Sequence, residues 1–466
     1  MNCSRTKQTR RKEMQMEKRT DMRAEALDTL IDIERNKKLS HIAIGETLMR
    51  NQFEKKADRA FYTRLCEGVT ERKIYLDYIL DHYSKTPMKK CKPLIRSLLR
   101  MGAYQILFMD VRDAAACSEA VSLAKKRGFG RLSGFVNGVL RTLVREKENL
   151  PVPDKKDDVK YVSITYSVPE WLSKLIIEQY GKESAEKIFA SLLEARPLTI
   201  RTNLSKTTPE ELEKELEEAG VKVEKGNYLP YAFTISNLNY LGKIAAFRQG
   251  KFAVQDESSQ LAVAIADINE GDFVLDVCAA PGGKTFHAAD RLKGAGKVLS
   301  RDLTEYKTEL IEENKDRMHY ENVEVQQWDA LEEDESLLES VDVLLADLPC
   351  SGLGIMGRKN DIKYQMTEEQ LGELAALQRQ ILSVVWKYVK PGGQMIFSTC
   401  TLNKGENAEN IKWIEENTPL HLVSIEEYLP QNLKNRTGSQ GYLQLIPGED
   451  TCDGFFISKF KRPEAK

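Results

Sequence analysis

Three short stretches of the chain combine residue types that could do chemistry. The first, Asp276 to Thr285, reads DVCAAPGGKT directly after the apolar run Phe273, Val274, Leu275. A buried strand ending in a Pro-Gly-Gly turn, with a helix starting near Gly283, presents backbone N–H groups at the strand's carboxyl end, where an anionic or zwitterionic molecule is favoured. Gly283-Lys284-Thr285 looks like the end of a triphosphate-binding loop. That loop, G-x-x-x-x-G-K-[ST], needs its first glycine at the position Cys278 occupies, and a side chain there obstructs the wrap of backbone around phosphates. The other two stretches are apolar strands that each run into a cysteine: Val341–Asp347 into Leu348-Pro349-Cys350-Ser351-Gly352, and Gln394–Thr399 into Cys400-Thr401. Cysteine is usually an inert small hydrophobe. Two at strand ends beside a ligand-binding turn are better read as reactive thiols.

The elements that must position these groups follow from the pattern around them. From Asp272 the chain alternates strands (Phe273–Cys278, Lys297–Asp302, Val323–Asp329, Val341–Asp347, Gln394–Thr399) with helices, one of which, Glu369–Val389, carries Leu374, Leu377, Ile381, Val384 and Tyr388 on one side and stops before Pro391-Gly392-Gly393. Such alternation builds a parallel sheet covered on both faces, with its site at the carboxyl ends of the strands. Tyr442–Ile446 and Phe455–Phe460 can close the sheet with a hairpin. Asp302, ending the second strand, is placed to accept hydrogen bonds from a ribose diol, and Asp329, ending the third, to receive an adenine amino group, but either one taken alone reads more readily as a solvated carboxylate at a loop.

The front of the chain differs. Residues 1–150 hold 32 Lys and Arg against 19 Asp and Glu, whereas residues 151–466 hold 37 against 52. A basic front half on an acidic back half points to a polyanion held by the N-terminal region. Residues 1–20 are basic, lack apolar periodicity and read as a mobile tail. From Asp21 to Arg145 apolar residues recur at three- and four-residue steps, predicting an all-α bundle of six or seven helices. Glu146–Lys160 reads as a linker, 161–250 as a small α/β module, and 251–466 as the catalytic domain. The eight cysteines show no C-x-x-C pair and stand near no His cluster, which argues against a zinc site or a disulfide framework. With no apolar run of membrane-spanning length, a cytoplasmic protein is expected, and the absence of a heptad seam predicts a monomer.

DVCAAPGGKT, DLPCSG and STCT in this order resemble the S-adenosylmethionine-dependent RNA cytosine-carbon-5 methyltransferases. Within the bundle, Asp58-Arg59-Ala60-Phe61, Leu99-Arg100-Met101-Gly102-Ala103-Tyr104 and Phe135-Val136-Asn137-Gly138 resemble the NusB-like RNA-binding domain. The fusion of the two resembles the RsmB (Sun/Fmu) family of bacterial 16S ribosomal RNA cytosine-967-carbon-5 methyltransferases. The resemblance implies a multidomain fold: an all-α NusB-like bundle, an RRM-like α/β module and a Rossmann-like class I methyltransferase domain. It also implies roles. Cys278, Ala279, Ala280, Pro281, Gly282, Gly283 and Lys284 wrap the methionine and ribose of S-adenosylmethionine, with Asp302 and Asp329 completing the cofactor site and Asp347 close to both methyl donor and base. Cys400 is the nucleophile that adds to carbon 6 of the cytosine, Cys350 serves product release, and Asp347 bonds the ring nitrogen. Arg59, Arg100, Lys125, Lys126, Arg127, Arg131 and Arg141 are candidates for phosphate contacts. No metal is implied. Gly357–Tyr364 departs from the family string in three places while keeping Asp361-Ile362-Lys363. The same chemistry on transfer or 23S ribosomal RNA, and a non-catalytic assembly protein, are the competing readings.

Overall fold

The computed structural model describes residues 20–194, 196–238 and 240–464. The basic N-terminal stretch therefore lies, but for Thr20, outside the described residues. By internal packing the chain divides into two compact units, one made of residues up to Glu170 together with Lys359–Asp361, the other of Trp171–Arg358 and Ile362 onward.

Among the described residues of the first unit, seven α-helices follow one another: Met22–Asn36, Ser40–Arg50, Lys56–Glu71, Lys73–Tyr83, Pro93–Phe108, Asp113–Lys126 and Ser133–Glu146. The predicted periodicity holds because the apolar stripes meet in one core that includes Leu27, Leu65, Leu76, Leu98, Tyr104, Leu123 and Leu140. The helix Pro93–Phe108 is the hub, with Ile95 and every residue from Ser97 to Ile106 buried. An eighth helix, Asp158–Tyr166, belongs to the same unit and ends on Ser167, whose hydroxyl accepts the Ile74 N–H at 2.7 Å. The helical unit thus continues past residue 145.

The second unit holds two sheets. The smaller comprises β1 (Leu198–Thr202), β2 (Lys222–Lys225), β3 (Ala232–Ser236) and β4 (Phe252–Val254) in the order β2-β3-β1-β4, with all pairs antiparallel. Its helix Pro209–Glu218 starts at a capping box in which the Thr208 hydroxyl and the Glu211 carboxylate exchange hydrogen bonds with each other's backbone N–H. β4 lies beyond residue 250 yet completes this sheet.

The larger sheet contains β5 (Phe273–Asp276), β6 (Lys297–Asp302), β7 (Val323–Gln327), β8 (Val341–Asp347), β9 (Val389–Thr399), β10 (His421–Leu422), β11 (Tyr442–Leu445) and β12 (Phe455–Lys461). Its order is β10-β12-β9-β8-β5-β6-β7, with β11 also pairing β12. β5 to β9 are parallel, and β12 runs antiparallel to β9, as the predicted closing hairpin requires. The helix read as Glu369–Val389 is Glu368–Val385, and Val389 already opens β9. Pro391-Gly392-Gly393 therefore lies inside the strand, at a register irregularity against β8 between Val341 and Val343. The buried side of that helix is Leu371, Gln378, Ile381, Leu382 and Val385, while Leu374, Leu377 and Val384 are only half-buried.

Candidate active site

Parallel register brings the three motifs to one end of the sheet. Asp276 on β5 pairs with Ser300 on β6 and Leu345 on β8, and Asp347 on β8 pairs with Ser398 on β9. Cys350 and Cys400 thus lie three and two residues beyond paired positions of adjacent parallel strands, and their sulfurs come within 3.3 Å of each other. The loops that carry them also touch through backbone: the Gly354 N–H donates to the Cys400 carbonyl at 2.9 Å. A Cβ at Gly354 would sit 1.9 Å from the Gly454 carbonyl oxygen, so only glycine permits this approach.

Both cysteines are half-buried, whereas Cys66, Cys91, Cys117 and Cys452 are buried and free. The Cys350 thiol is pushed well up, first by its hydrogen bond with Cys400, then by burial and by negative charge on Cys400 and Glu406. Held as a thiol, Cys350 keeps a proton that it can donate to the Cys400 sulfur.

Asp347 stands beside them with both oxygens held. Lys284 Nζ donates to Oδ2 at 2.6 Å and Ser398 Oγ to Oδ1 at 2.7 Å. Lys284 is itself buried and lies over the Phe455 ring, its nitrogen 5.0 Å from the ring centre. An acidic side chain fixed from two sides and still partly exposed can meet a base without reorganising.

The cofactor turn is more self-satisfied than its sequence predicts. The Ala279 N–H is taken by the Arg301 carbonyl at 3.0 Å, the Gly282 N–H by the Ala279 carbonyl, and the Ala280 N–H by Asp302 Oδ2 at 2.9 Å. These three donors are not bare. Asp302 is only 3% exposed; its Oδ1 accepts from the Leu303 N–H and from Lys307, so it buttresses the turn. Asp329 lies just past β7, where Oδ1 accepts the Leu331 N–H of its own turn. Gly282 adopts φ +99°, and a Cβ there would meet the Phe286 ring at 2.2 Å. That glycine sets the sharp entry into the helix Gly283–Arg291.

S-adenosylmethionine carries an ammonium group, and the turn has a matching orphan. Asp276 is fully buried; Thr285 donates to its Oδ2 at 2.8 Å, but Oδ1 has no hydrogen-bond partner. Burial pushes this carboxyl up to about 7, against the smaller opposing pull of Thr285 and Lys284. A cationic ligand supplies both the missing donor and the missing charge. Cys278, in the same turn, is held protonated by burial and by Asp302, Asp276 and Asp347. Among the described residues no group of three or more His, Cys, Asp or Glu is arranged to hold a metal ion.

Of the basic candidates in the helical unit, one is corrected. Arg100 is 6% exposed, forked onto Asp77 at 2.7 and 2.6 Å and bonded to Glu34 at 3.2 Å, so it is a buried structural cation and not a phosphate contact. Arg59 is half-buried and donates to backbone carbonyls of Gln52 and Glu54, and Arg127 pairs with Asp28. Lys125, Lys126, Arg131 and Arg141 are exposed. Lys125, Asn137, Arg141 and Arg145 line a cleft of about 930 Å³ between the helices Asp113–Lys126 and Ser133–Glu146.

Comparison with known proteins agrees with this architecture. Residues 263–461 match the model of 16S rRNA methyltransferase RsmB/F, residues 20–145 the NusB family, and residues 168–239 the ferredoxin-like domain of the RsmF/B-like methyltransferases. The probable ribosomal RNA small subunit methyltransferase B of Bacillus subtilis is 36% identical over 453 residues, covering 96% of this chain and 99% of the relative. Its counterpart in Synechocystis is 30% identical over 93% of this chain and 97% of its own length. The solved structure of PH0851 superposes with a TM-score of 0.79 at 25% identity, covering 94% of this chain and 99% of the other. No helix among the described residues is long and apolar enough to cross a membrane. The chain belongs to the RsmB/F family of 16S rRNA methyltransferases, enzymes that use S-adenosylmethionine.

Proposed function

We propose that this enzyme methylates carbon 5 of one cytosine of 16S ribosomal RNA, cytosine 967, through a covalent adduct between Cys400 and carbon 6 of the base. The observation that carries the reading is the pair of sulfurs 3.3 Å apart at the ends of β8 and β9, beside an aspartate fixed by two donors. Carbon 5 of cytosine is a weak nucleophile. Addition of the Cys400 thiolate to carbon 6 turns the ring into an enamine that attacks through carbon 5, which splits one hard step into easier ones. S-adenosylmethionine, when bound, supplies the electrophilic methyl group.

Each residue has one task in this scheme. Cys400 forms the carbon–sulfur bond, and the thiolate is the form that adds. Asp347 bonds the ring nitrogen and stabilises the charge that addition places on the ring. The carbon-5 proton then passes to a water molecule acting as base, its electron pair forms the carbon 5–carbon 6 double bond, and the carbon 6–sulfur bond breaks to expel the Cys400 thiolate; Cys350 assists this release. Asp276, through its orphaned Oδ1, and the turn Cys278–Lys284 hold the cofactor, with Asp302 and Asp329 on its ribose and adenine side. Lys125, Lys126, Arg131 and Arg141 contact RNA phosphates, which fixes orientation without reading sequence. The target must be single-stranded or flipped out for a thiol to reach carbon 6. All reacting groups come from one chain, so a monomer suffices, and a ribosomal RNA substrate places the reaction in the cytoplasm.

The test is incubation of the purified protein with S-adenosylmethionine carrying a tritiated methyl group and unmodified 16S RNA, followed by nucleoside analysis. Label in 5-methylcytidine supports the reading; label in any other nucleoside overturns it. No label in 16S RNA but label in transfer or 23S RNA keeps the chemistry and overturns the substrate.

A further inference from the structure

Behind the two cysteine loops lies a buried carboxylate that the scheme above does not use. Glu406 is fully buried, and both of its oxygens are saturated by neutral donors. Oε1 accepts from Ser351 Oγ at 2.6 Å and Asn403 Nδ2 at 3.1 Å; Oε2 accepts from the Ser351 N–H at 2.9 Å and Gln378 Nε2 at 3.1 Å. Four donors around a side chain that accepts four bonds identify it as an ionised carboxylate. Ser351 follows Cys350, and Thr401 follows Cys400. The hydroxyls of these two neighbours are 2.6 Å apart.

The protons in this cluster can be ordered in only one direction. An ionised Glu406 has none to give, so the Ser351 hydroxyl donates to it and must in turn accept from the Thr401 hydroxyl, which itself accepts the Asn403 N–H at 3.2 Å. Gln378 uses the same amide nitrogen to hold the Pro349 carbonyl at 2.9 Å, and Asn410 fixes Gln378 Oε1 at 2.7 Å. Residues on both sides of Cys350 and on the far side of Cys400 therefore converge on one anion. A buried charge held by neutral donors alone costs several kcal/mol of desolvation, and such a cost is sustained where the network specifies a geometry.

We propose that Glu406 is a positioning residue that sets the register of the Pro-Cys loop against the Thr-Cys loop and so holds the two thiols side by side in one site. It touches neither substrate nor cofactor. Replacing it with glutamine keeps the shape but turns an NH₂ group either toward the Ser351 N–H and Gln378 Nε2 or toward Ser351 Oγ and Asn403 Nδ2, so that in either orientation donor faces donor. The loops separate while the sheet beneath them stays intact. As a role in the reaction, the inference rests on the reading of Cys400 and Cys350 as the reacting pair. The register itself can be measured without it.

The direct measurement is the rate at which diamide links Cys350 to Cys400 in the full-length protein. The two thiols lose two protons and two electrons to form the disulfide, and the azo group is reduced to the hydrazine. The parent should link rapidly, losing two mass units in a peptide pair that contains both cysteines; Glu406→Gln should link at least tenfold more slowly. In parallel, its kcat for RNA methylation should fall about a hundredfold with KM for S-adenosylmethionine changed less than twofold. Ser351→Ala, a milder variant that leaves Glu406 with three donors, should lie between, and it decides the matter if Glu406→Gln fails to fold. Linking rates within twofold of the parent in the folded variants overturn the inference, as does a loss of turnover matched by an equal loss of cofactor binding. A parent that links but methylates no RNA overturns the proposed function and leaves the positioning role standing.

Discussion

The sulfurs of Cys350 and Cys400 lie 3.3 Å apart although fifty residues separate them in the chain. That distance is a consequence of parallel pairing between β8 and β9, and it brings the two thiols into one site. Replacing Cys400 with serine should lower single-turnover methylation by at least a thousandfold, because a hydroxyl is a far weaker nucleophile than a thiolate. Replacing Cys350 with alanine should leave addition intact and block release. An RNA–protein adduct that survives a denaturing gel is then expected from Cys350→Ala, and its absence would remove Cys350 from the release step.

Asp347 is held from two sides, and the two supports should differ in weight. Asp347→Asn should reduce turnover by about 10²–10³, the range for removing one preorganised electrostatic partner. Ser398→Ala removes one neutral hydrogen bond and leaves the Lys284 pair, so a loss of roughly tenfold is expected, corresponding to about 1.4 kcal/mol. Pre-steady-state kinetics at saturating cofactor distinguishes them; equal losses in the two variants would contradict the assignment of the base contact to Asp347 itself.

Much of this site is legible in the chain because its motifs are local. A strand followed by a Pro-Gly-Gly turn, and two strands that run into cysteine, can be recognised from neighbours in sequence, and so can the amphipathic helices of the front unit. What stays hidden depends on packing between distant segments. Glu406, Ser351 and Gln378 look like ordinary polar residues until β8, β9 and the helix Glu368–Val385 bring them together. Arg100 misleads for the same reason: a lone arginine in an apolar helix resembles a solvated cation, yet Glu34 and Asp77, 66 and 23 residues away, enclose it. Local sequence also predicts bare N–H groups in the cofactor turn, but Arg301 and Asp302 on the adjacent strand satisfy two of them.

Asp276 predicts a pH dependence of stability. Its carboxyl is raised by burial from 3.8 to about 7, so the folded protein binds more protons than the unfolded chain between these values. Stability from this group is therefore fully present below pH about 4 and is lost as pH rises toward 7. Asp276→Asn, which cannot ionise, should melt higher than the parent at pH 8 without cofactor, by ~2–4 °C for each kcal/mol regained. The gap should close as the pH is lowered to 5, and S-adenosylmethionine should bind the variant at least tenfold more weakly. A melting difference independent of pH would contradict a buried ionised carboxylate at this position.

Phosphate-binding and structural cations respond to different measurements. Lys125→Glu together with Arg141→Glu should weaken RNA binding and flatten the dependence of log affinity on log salt, by about 0.7–0.9 for each phosphate no longer neutralised. Arg100→Ala should instead destabilise the helical unit by roughly 3–5 kcal/mol, since Asp77 and Glu34 lose their partner, with the salt slope of the folded protein unchanged. A slope change for Arg100→Ala under conditions where it remains folded would reverse its assignment.

Above all, this enzyme is expected to place a methyl group on carbon 5 of one cytosine in 16S RNA. Bisulfite sequencing of unmodified 16S RNA after incubation with the protein and S-adenosylmethionine is the decisive measurement, because 5-methylcytosine resists deamination while cytosine is read as uracil. One newly protected position, cytosine 967, should appear with the parent protein and be absent with Cys400→Ser. Protection at no cytosine, in free RNA and in small-subunit particles alike, would contradict the proposed reaction.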